Sequence, residues 1–177
     1  MTVDEMLAIE EIKQLRSKYS HCYDANDLDG LVELFTDDAI CEWDQAHGGA
    51  WVGKQAIREN YAHYFELFGR RAWIVLHAVT NPWIEITSPD TAEGRWFMLD
   101  FNFCGLTEDP LGCIGIYDDL YHRVDGVWKI HRTRLDFLYP DRNITGGMPG
   151  KRIPCALDEA AGAQPEPPGD DDGGCRA

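Results

Sequence analysis

Two polar residues far apart in the chain have the side chains that an acid–base pair needs. Asp24 ends a segment in which Ile9, Ile12 and Leu15 recur at helical spacing, and His77 lies in an otherwise apolar stretch. Histidine titrates near neutral pH and can remove a proton from carbon, while a carboxylate fixes its tautomer and stabilises the imidazolium ion. The pair is therefore a candidate catalytic dyad. The alternative is a core histidine bonded to a backbone carbonyl and an aspartate that caps a helix.

Two tyrosines precede Asp24 on the same segment and are candidates for a third catalytic group. Tyr19 or Tyr23 could donate a hydrogen bond to a developing enolate oxygen or to a departing hydroxyl group. Tyr19 lies five residues before Asp24, which is about 140° around an ideal helix. The alternative for either tyrosine is an aromatic ring that fills core space. We take Tyr19 as the first candidate.

The spacing of apolar residues predicts the elements that must position these groups. Period-3.6 patterns predict helices at about 5–24, 28–35 and 53–68. Beyond them, alternating or apolar runs predict strands, and Asp125-Gly126 is the strongest hairpin signal. The predicted strands are 39–43, 73–79, 83–87, 91–103, 111–124 and 127–138. Helices followed by strands indicate an α+β fold, in which helices cover the concave face of a strongly curved, mostly antiparallel sheet.

Such a container predicts a ligand cavity lined by aromatic and strand residues. The residues expected to bind substrate are Tyr23, Trp43, Trp96, Met98, Asp100, Asp119 and Arg134. The alternative is that the aromatic residues are ordinary core and that the polar strand residues face solvent.

Composition and charge exclude several functional classes. The net charge of −15 disfavours nucleic-acid and anionic-membrane partners, which require basic surface. The six cysteines form no CxxC pair, and the start of the chain lacks the pattern of a signal peptide, so we expect a cytoplasmic protein with reduced thiols. Metal-ligand spacing and nucleotide-binding motifs are missing, so no metal and no cofactor is expected. We expect one domain over 1–142 and a flexible Gly/Pro/Asp-rich tail over 143–177.

Several motifs together are similar to the SnoaL-like branch of the NTF2-like superfamily. They include Leu31-Val32-Glu33-Leu34-Phe35-Thr36-Asp37-Asp38-Ala39, Gly53-Lys54-Gln55-Ala56-Ile57, His77 with Asn81-Pro82, and Arg123-Val124-Asp125-Gly126-Val127-Trp128. The resemblance covers roughly residues 5–140 and implies a cone-shaped α+β fold. Members usually pair through the open sheet face, so the resemblance also implies a homodimer or homotrimer.

Within this branch the sequence most resembles scytalone dehydratase, bile-acid 7α-dehydratase and hexachlorocyclohexane dehydrochlorinase. Their shared Asp and His match Asp24 and His77, while tyrosines of the first two match Tyr23 and Tyr19, respectively. Two features depart from the pattern. Phe137 falls near an arginine of the bile-acid enzyme, and Asp100 or Asn102 lies where scytalone dehydratase has a second histidine.

The resemblance implies a cofactor-independent lyase that acts through an Asp–His dyad. Its substrate would be a cyclic, largely apolar small molecule such as a steroid, polyketide or terpenoid, and water loss would be the elimination. One alternative is an isomerase or cyclase of the ketosteroid-isomerase or polyketide-cyclase kind. Another is a non-catalytic module of the same fold that binds a small ligand.

Overall fold

A computed structural model describes residues 1–43, 49–67, 72–103 and 110–139, which form three helices and one sheet. The elements in chain order are α1 (Val3–Asp24), α2 (Leu28–Val32), β1 (Phe35–Glu42), β2 (Ala50–Val52), α3 (Lys54–Leu67), β3 (Val75–Ser88), β4 (Thr91–Asn102), β5 (Leu111–Val124) and β6 (Val127–Tyr139). The six strands lie in the order β2-β1-β6-β5-β4-β3, and every neighbouring pair is antiparallel except β1 and β6. The predicted α+β fold is confirmed. The predicted tail over 143–177 lies outside the described residues, and no helix within them is long and apolar enough to cross a membrane.

Helix α1 carries the first residue of the site at its C-terminal end. Thr2 and Glu5 form a reciprocal capping box that sets where the helix begins. The buried face of α1 consists of Ala8, Ile12, Leu15, Arg16, Tyr19, Ser20, Cys22 and Asp24. The helix ends at Asp24, since two residues later Asn26 adopts a φ of 58°, a left-handed conformation that asparagine tolerates. The last turn therefore presents a carboxylate on its buried face.

Two strands and one helix differ from the sequence prediction. Strand β3 runs without a break through Asn81 and Pro82, where two strands are predicted, because β3 is an edge strand that tolerates proline with a shift of register between Thr80 and Trp83. Helix α2 is shorter than predicted because Phe35 pairs with Ile130 of β6 instead of continuing the helix. The three-residue β2 is too short to have a sequence signature.

The inner face of the sheet and the helices enclose the core. Register shifts in four of the strand pairs bend the sheet, as bulges do. Ile12, Phe35, Ile57 and Ile130 are fully buried between the sheet and the helices. His77, Asp100 and their neighbours on the inner face of β3, β4 and β5 are consequently turned toward α1 and α3.

Candidate active site

Asp24 and His77 meet across 53 residues of sequence in a two-point contact. The Asp24 Oδ1 atom lies 2.6 Å from His77 Nδ1, and the His77 backbone N–H donates to Oδ2 at 3.0 Å. The side chains are only 5% and 12% exposed, so water competes little for these bonds. Because the carboxylate accepts a hydrogen from Nδ1, the neutral imidazole has its lone pair on Nε2. His77 lines the adjacent cavity, where a basic Nε2 can remove a proton.

A backbone bond ties the end of α1 to the segment that leads into β3. The Trp73 N–H donates to the Asp24 carbonyl oxygen at 2.7 Å. Trp73 has a φ of 65°, in the left-handed region that a bulky side chain rarely adopts, and its ring contacts His21 edge-on. Backbone strain of this kind persists only where the surrounding contacts enforce it. The contact between Asp24 and His77 is thus held by the backbone on both sides.

Next to His77 lies a cavity of about 160 Å³ with a largely aromatic wall. It is lined by Tyr19, Tyr23, Trp43, Trp51, Tyr61, Tyr64, His77, Met98, Asp100, Cys113, Tyr117, Leu135 and Phe137. Engineered apolar cavities of about 150 Å³ bind benzene, so the volume suits a single ring. No lysine or arginine is among the described residues of the wall, and Asp100 is its carboxylic acid. The wall therefore favours a neutral, ring-containing ligand over an anionic one.

Asp100 and Cys113 continue the line of polar groups that His77 begins. His77 pairs directly with Asp100 in the β3–β4 register, and Asp100 pairs with Cys113 in the β4–β5 register. Burial raises the pKa of Asp100, although His77 acts in the opposite direction. Burial, reinforced by Asp100, raises the pKa of Cys113 to about 12, so its thiol stays protonated near neutral pH. Asp100 is thus a carboxyl that retains a proton more readily than an exposed aspartate, and Cys113 is a poor nucleophile.

The surroundings of Tyr19 and Tyr23 distinguish the two tyrosines. The Tyr19 hydroxyl lies 2.7 Å from the Tyr61 hydroxyl, and the Arg16 guanidinium carbon lies 4.2 Å from the Tyr19 ring centroid. Burial raises the pKa of Tyr19, but Arg16 and the hydrogen bond with Tyr61 oppose that rise. Burial also raises the pKa of Tyr23, and its next contributors, Tyr117 and Asp100, raise it further. Tyr19 therefore differs from Tyr23 in having a cation and a hydroxyl group beside it.

Tyr23 instead packs against the imidazole. Its ring meets that of His77 edge-to-face with centroids 4.6 Å apart, and it meets Phe65 at 5.3 Å. Such contacts restrict the rotation of the imidazole. Tyr23 thus supports the orientation of His77.

Most of the residues predicted for the site come together around the cavity. Tyr19, Tyr23, Trp43, His77, Met98 and Asp100 line it. Asp24 is not in the wall, because it lies behind His77 and reaches the cavity only through the imidazole.

Three residues predicted to bind substrate lie elsewhere. Trp96 is buried two residues before Met98 on β4, where its Nε1–H donates to the Tyr121 hydroxyl at 2.9 Å. Asp119 is fully buried beside Arg16. Arg134 lies on the opposite side of β6 from the wall residue Leu135, because successive strand residues alternate, and it pairs with Asp118 at 3.0 Å. The sequence pattern does not distinguish these positions from the wall.

Several wall residues were not predicted as site residues. Tyr61 and Tyr64 share a helical face of α3 with the buried Ile57, a signal that the sequence contains. Trp51 lies on the short β2, and Cys113 is placed by its pairing with Asp100, so neither has a local sequence signal. Within the described ranges, no three His, Cys, Asp or Glu side chains converge as ligands of a metal ion would.

Three helices packed on a six-stranded, mostly antiparallel sheet, with a cavity between them, define an α+β protein of the NTF2-like or cystatin-like class. The protein-family model for the SnoaL-like domain matches residues 4–134 of the sequence. The chain therefore belongs to the SnoaL-like domain family.

Solved structures of similar proteins agree with this assignment. Rv3472 of Mycobacterium tuberculosis, a protein of unknown function, is 26% identical with a TM-score of 0.68, over 81% of this chain and 78% of its own. A candidate scytalone dehydratase from Novosphingobium aromaticivorans is 24% identical with a TM-score of 0.68, over 86% and 99%. The hexachlorocyclohexane dehydrochlorinase LinA-type3 from Novosphingobium barchaimii is 19% identical with a TM-score of 0.64, over 80% and 97%. At these identities the last two establish the shared fold alone.

Proposed function

We propose that this protein is a cofactor-independent lyase that eliminates water from a cyclic, largely apolar small molecule. The observation that carries the proposal is the two-point contact between Asp24 and His77, which leaves His77 Nε2 as the basic nitrogen beside an aromatic cavity. The names of two structural neighbours, a candidate scytalone dehydratase and a dehydrochlorinase, belong to eliminating enzymes and agree with this choice.

In the proposed reaction, His77 Nε2 takes a proton from a carbon next to a carbonyl group. The C–H electron pair moves through an enolate into a new carbon–carbon double bond, and the C–O bond at the β carbon breaks. The departing hydroxide takes a proton from the Asp100 carboxyl and leaves as water. His77 is then protonated and Asp100 ionised, and transfer of one proton from His77 to Asp100 restores both groups.

Three neighbours assist this transfer. Asp24 stabilises the imidazolium ion through the 2.6 Å contact with Nδ1, as the carboxylate of a catalytic triad does. Tyr19 donates a hydrogen bond to the enolate oxygen, and Tyr23 holds the imidazole by its edge-to-face contact. General acid–base catalysis by a positioned side chain contributes about 10²- to 10⁴-fold.

The position of Asp100 supports its role as the general acid. Residues directly opposite on antiparallel strands have Cα atoms about 4.5 to 5.5 Å apart, so His77 and Asp100 flank one small volume. The Oδ1 atom of Asp100 is buried and has no hydrogen-bond partner among the described residues. Burial raises the pKa of the Asp100 carboxyl, which favours the protonated form that a general acid needs.

The same placement favours an isomerase as the second candidate. A proton removed by His77 and another delivered by Asp100 to a different carbon would move a double bond without loss of water. Product analysis separates the two functions, because elimination releases one water per turnover and isomerisation preserves the mass. A ligand-binding module without catalysis is the third possibility, and it predicts binding with no conversion.

The volume of the cavity favours a substrate smaller than a steroid. Its volume of about 160 Å³ is below the range of about 300 to 1,000 Å³ that holds drug-sized ligands. A ketol built on one ring, of polyketide or terpenoid type, fits this volume better than a four-ring skeleton. We expect the protein to act in the cytoplasm, where Cys22, Cys41 and Cys113 remain free thiols.

We also propose a homodimer or homotrimer formed through the outer face of the sheet. Leu76, Trp83 and Phe97 lie on this face of β3 and β4, and each is more than 40% exposed. Exposed apolar patches of this kind mark interaction sites. A second copy offers the same apolar surface.

A panel of single-ring β-hydroxy ketones, incubated with the protein and with His77→Ala, tests the proposed lyase. Mass spectrometry should detect loss of one water with the wild type and none with the variant. Asp90→Asn, at an exposed turn far from the cavity, is the matched control and should react like the wild type. Equal conversion by wild type and His77→Ala would refute the proposed base. Ring binding without any conversion would favour the binding module.

A further inference from the structure

A fully buried arginine lies behind two tyrosines of the cavity wall. The Arg16 side chain is 0% exposed, and its guanidinium carbon lies 3.5 Å from the ring centroid of Tyr117 and 4.2 Å from that of Tyr19. None of its three nitrogens has a hydrogen-bond partner among the described residues. Burial of a charge without hydrogen bonds is costly, so the position of Arg16 requires an explanation.

A buried carboxyl group lies beside Arg16. Asp119, also 0% exposed, places its Oδ2 3.5 Å from Arg16 Nε. Tyr121 donates to the same oxygen at 2.6 Å, and Trp96 Nε1–H donates to the Tyr121 hydroxyl at 2.9 Å. The Tyr121 hydrogen bond therefore holds Asp119 beside Arg16, which also contacts both tyrosine rings. Burial raises the pKa of Asp119, and Arg16 opposes that rise.

We propose that Arg16 is a positioning residue that acts through Tyr19: the buried guanidinium, stacked on the Tyr19 ring, strengthens Tyr19 as a hydrogen-bond donor to a ligand in the cavity. This inference rests on the proposed function, in which Tyr19 donates to an enolate oxygen. As negative charge develops on that oxygen, the shared proton shifts and the Tyr19 ring becomes partly anionic. A cation stacked on the ring stabilises that charge, and between buried groups the interaction is stronger than in solvent.

The hydrogen bonds around Tyr19 act in the same direction. The Tyr19 and Tyr61 hydroxyls share one hydrogen bond, and donation from Tyr61 would stabilise a partly anionic Tyr19. The other ionisable neighbours of Tyr19 are Cys41, Tyr23 and Tyr117, which carry no charge near neutral pH because burial raises the pKa of each. Arg16 is therefore the charged group that acts directly on Tyr19.

The test measures the pKa of position 19 without any substrate. A fluorinated tyrosine, whose phenol is more acidic than tyrosine, is incorporated at position 19 and titrated by fluorine NMR. The double variant Arg16→Met/Asp119→Asn removes both buried charges and avoids leaving an unpaired one, which would threaten folding. It should raise the pKa at position 19 by about 1, the effect of one nearby charge. Asp119→Asn alone keeps the cation without its counter-charge and should lower that pKa.

We expect the pKa at position 19 to rise in the double variant and to fall in Asp119→Asn. A purely structural defect would shift this pKa in the same direction in both variants. The same fluorinated residue at position 23, which does not contact Arg16, is the matched control and should shift much less. Arg16→Lys retains the charge and should keep most of the wild-type pKa. An unchanged pKa at position 19 in the double variant, with the fold intact by circular dichroism, would overturn the inference.

A second measurement separates this inference from the proposed function. Exchange of the α hydrogens of cyclohexanone in D₂O, followed by NMR, reports proton abstraction alone. The double variant should slow exchange at saturating ketone about threefold to tenfold, since one pKa unit corresponds to a tenfold change in equilibrium, with little change in KM. If the wild type exchanges no ketone but the pKa values shift as expected, the proposed function fails and the action of Arg16 on Tyr19 stands.

Discussion

Replacement of Asp24 by asparagine tests the tautomer on which the proposed chemistry depends. The carboxylate accepts two hydrogen bonds, from His77 Nδ1 at 2.6 Å and from the His77 backbone N–H at 3.0 Å. An amide of the same shape has one oxygen and one NH₂ group, so it satisfies only one of these donors. Since the backbone N–H cannot change, the oxygen should face it and the NH₂ group should face Nδ1. His77 must then carry its hydrogen on Nε2, which leaves no lone pair toward the cavity.

The geometry of the contact sets the expected loss of turnover and the expected loss of stability in Asp24→Asn. Conversion of an orienting carboxylate to an amide lowers turnover by about 10⁴-fold in a serine-protease triad, where the wrong tautomer is the cause. We expect a loss of about 10³- to 10⁴-fold for Asp24→Asn, because the same two functions are removed. Stability should fall only modestly, by about 1 to 3 kcal/mol for one imperfectly satisfied buried group.

The assay combines nitrogen NMR of the histidine ring with cyclohexanone hydrogen exchange. Wild type should show a protonated Nδ1 and an unprotonated Nε2 at a pH where the ring is neutral, and Asp24→Asn should show the reverse. Exchange should drop to the background rate in the variant but stay at the wild-type rate in Asp90→Asn. If Asp24→Asn retains the wild-type tautomer and exchanges ketone within tenfold of wild type, the dyad reasoning is refuted.

Three further predictions concern the cavity and the sheet. Burial raises the pKa of Asp100, so the folded state holds the proton more tightly and wild-type stability falls as pH rises above about 4. Asp100→Asn should therefore be more stable than wild type at pH 7 and lose that advantage at pH 3 in urea titrations, while its turnover falls at least tenfold. Tyr61→Phe removes a 2.7 Å hydrogen bond and should cost about 1 kcal/mol; no change in urea midpoint would contradict that bond. Phe97→Lys should dissociate the oligomer in light scattering, whereas Leu7→Lys on α1 should not; a wild-type monomer would refute the interface.

Local patterns determined much of the fold. The helical spacing of Ile12, Leu15 and Tyr19 gave α1 its buried face, and the Asp125-Gly126 pair predicted the β5–β6 hairpin correctly. The order of helices and strands then implied the α+β class, which is confirmed. These features depend on residues close in sequence, so periodicity and turn chemistry are sufficient to predict them.

Residue types also predicted part of the site. The residue types of Asp24 and His77 left a capping aspartate and a core histidine as alternatives, and the resemblance to the SnoaL-like branch favoured the dyad. The structure places Asp24 and His77 in contact, and their catalytic role stays a prediction. Asp100 was predicted to bind substrate, with a solvent-facing strand position as the alternative, and it lines the wall.

The tertiary structure alone decided which inward-facing side chains reach the cavity wall. Met98 and Trp96 share a face of β4, yet only Met98 reaches the cavity wall, while Trp96 bonds to Tyr121. Asp119 has the same polar character as Asp100 but lies beside Arg16. Alternation along a strand specifies which face a side chain occupies; its distance from the cavity depends on strand register and bulges, which pairing between distant segments sets. The sequence by itself thus indicated Asp24 and His77 as candidates and determined the class of fold, and the register of the sheet decided which other side chains lie near them.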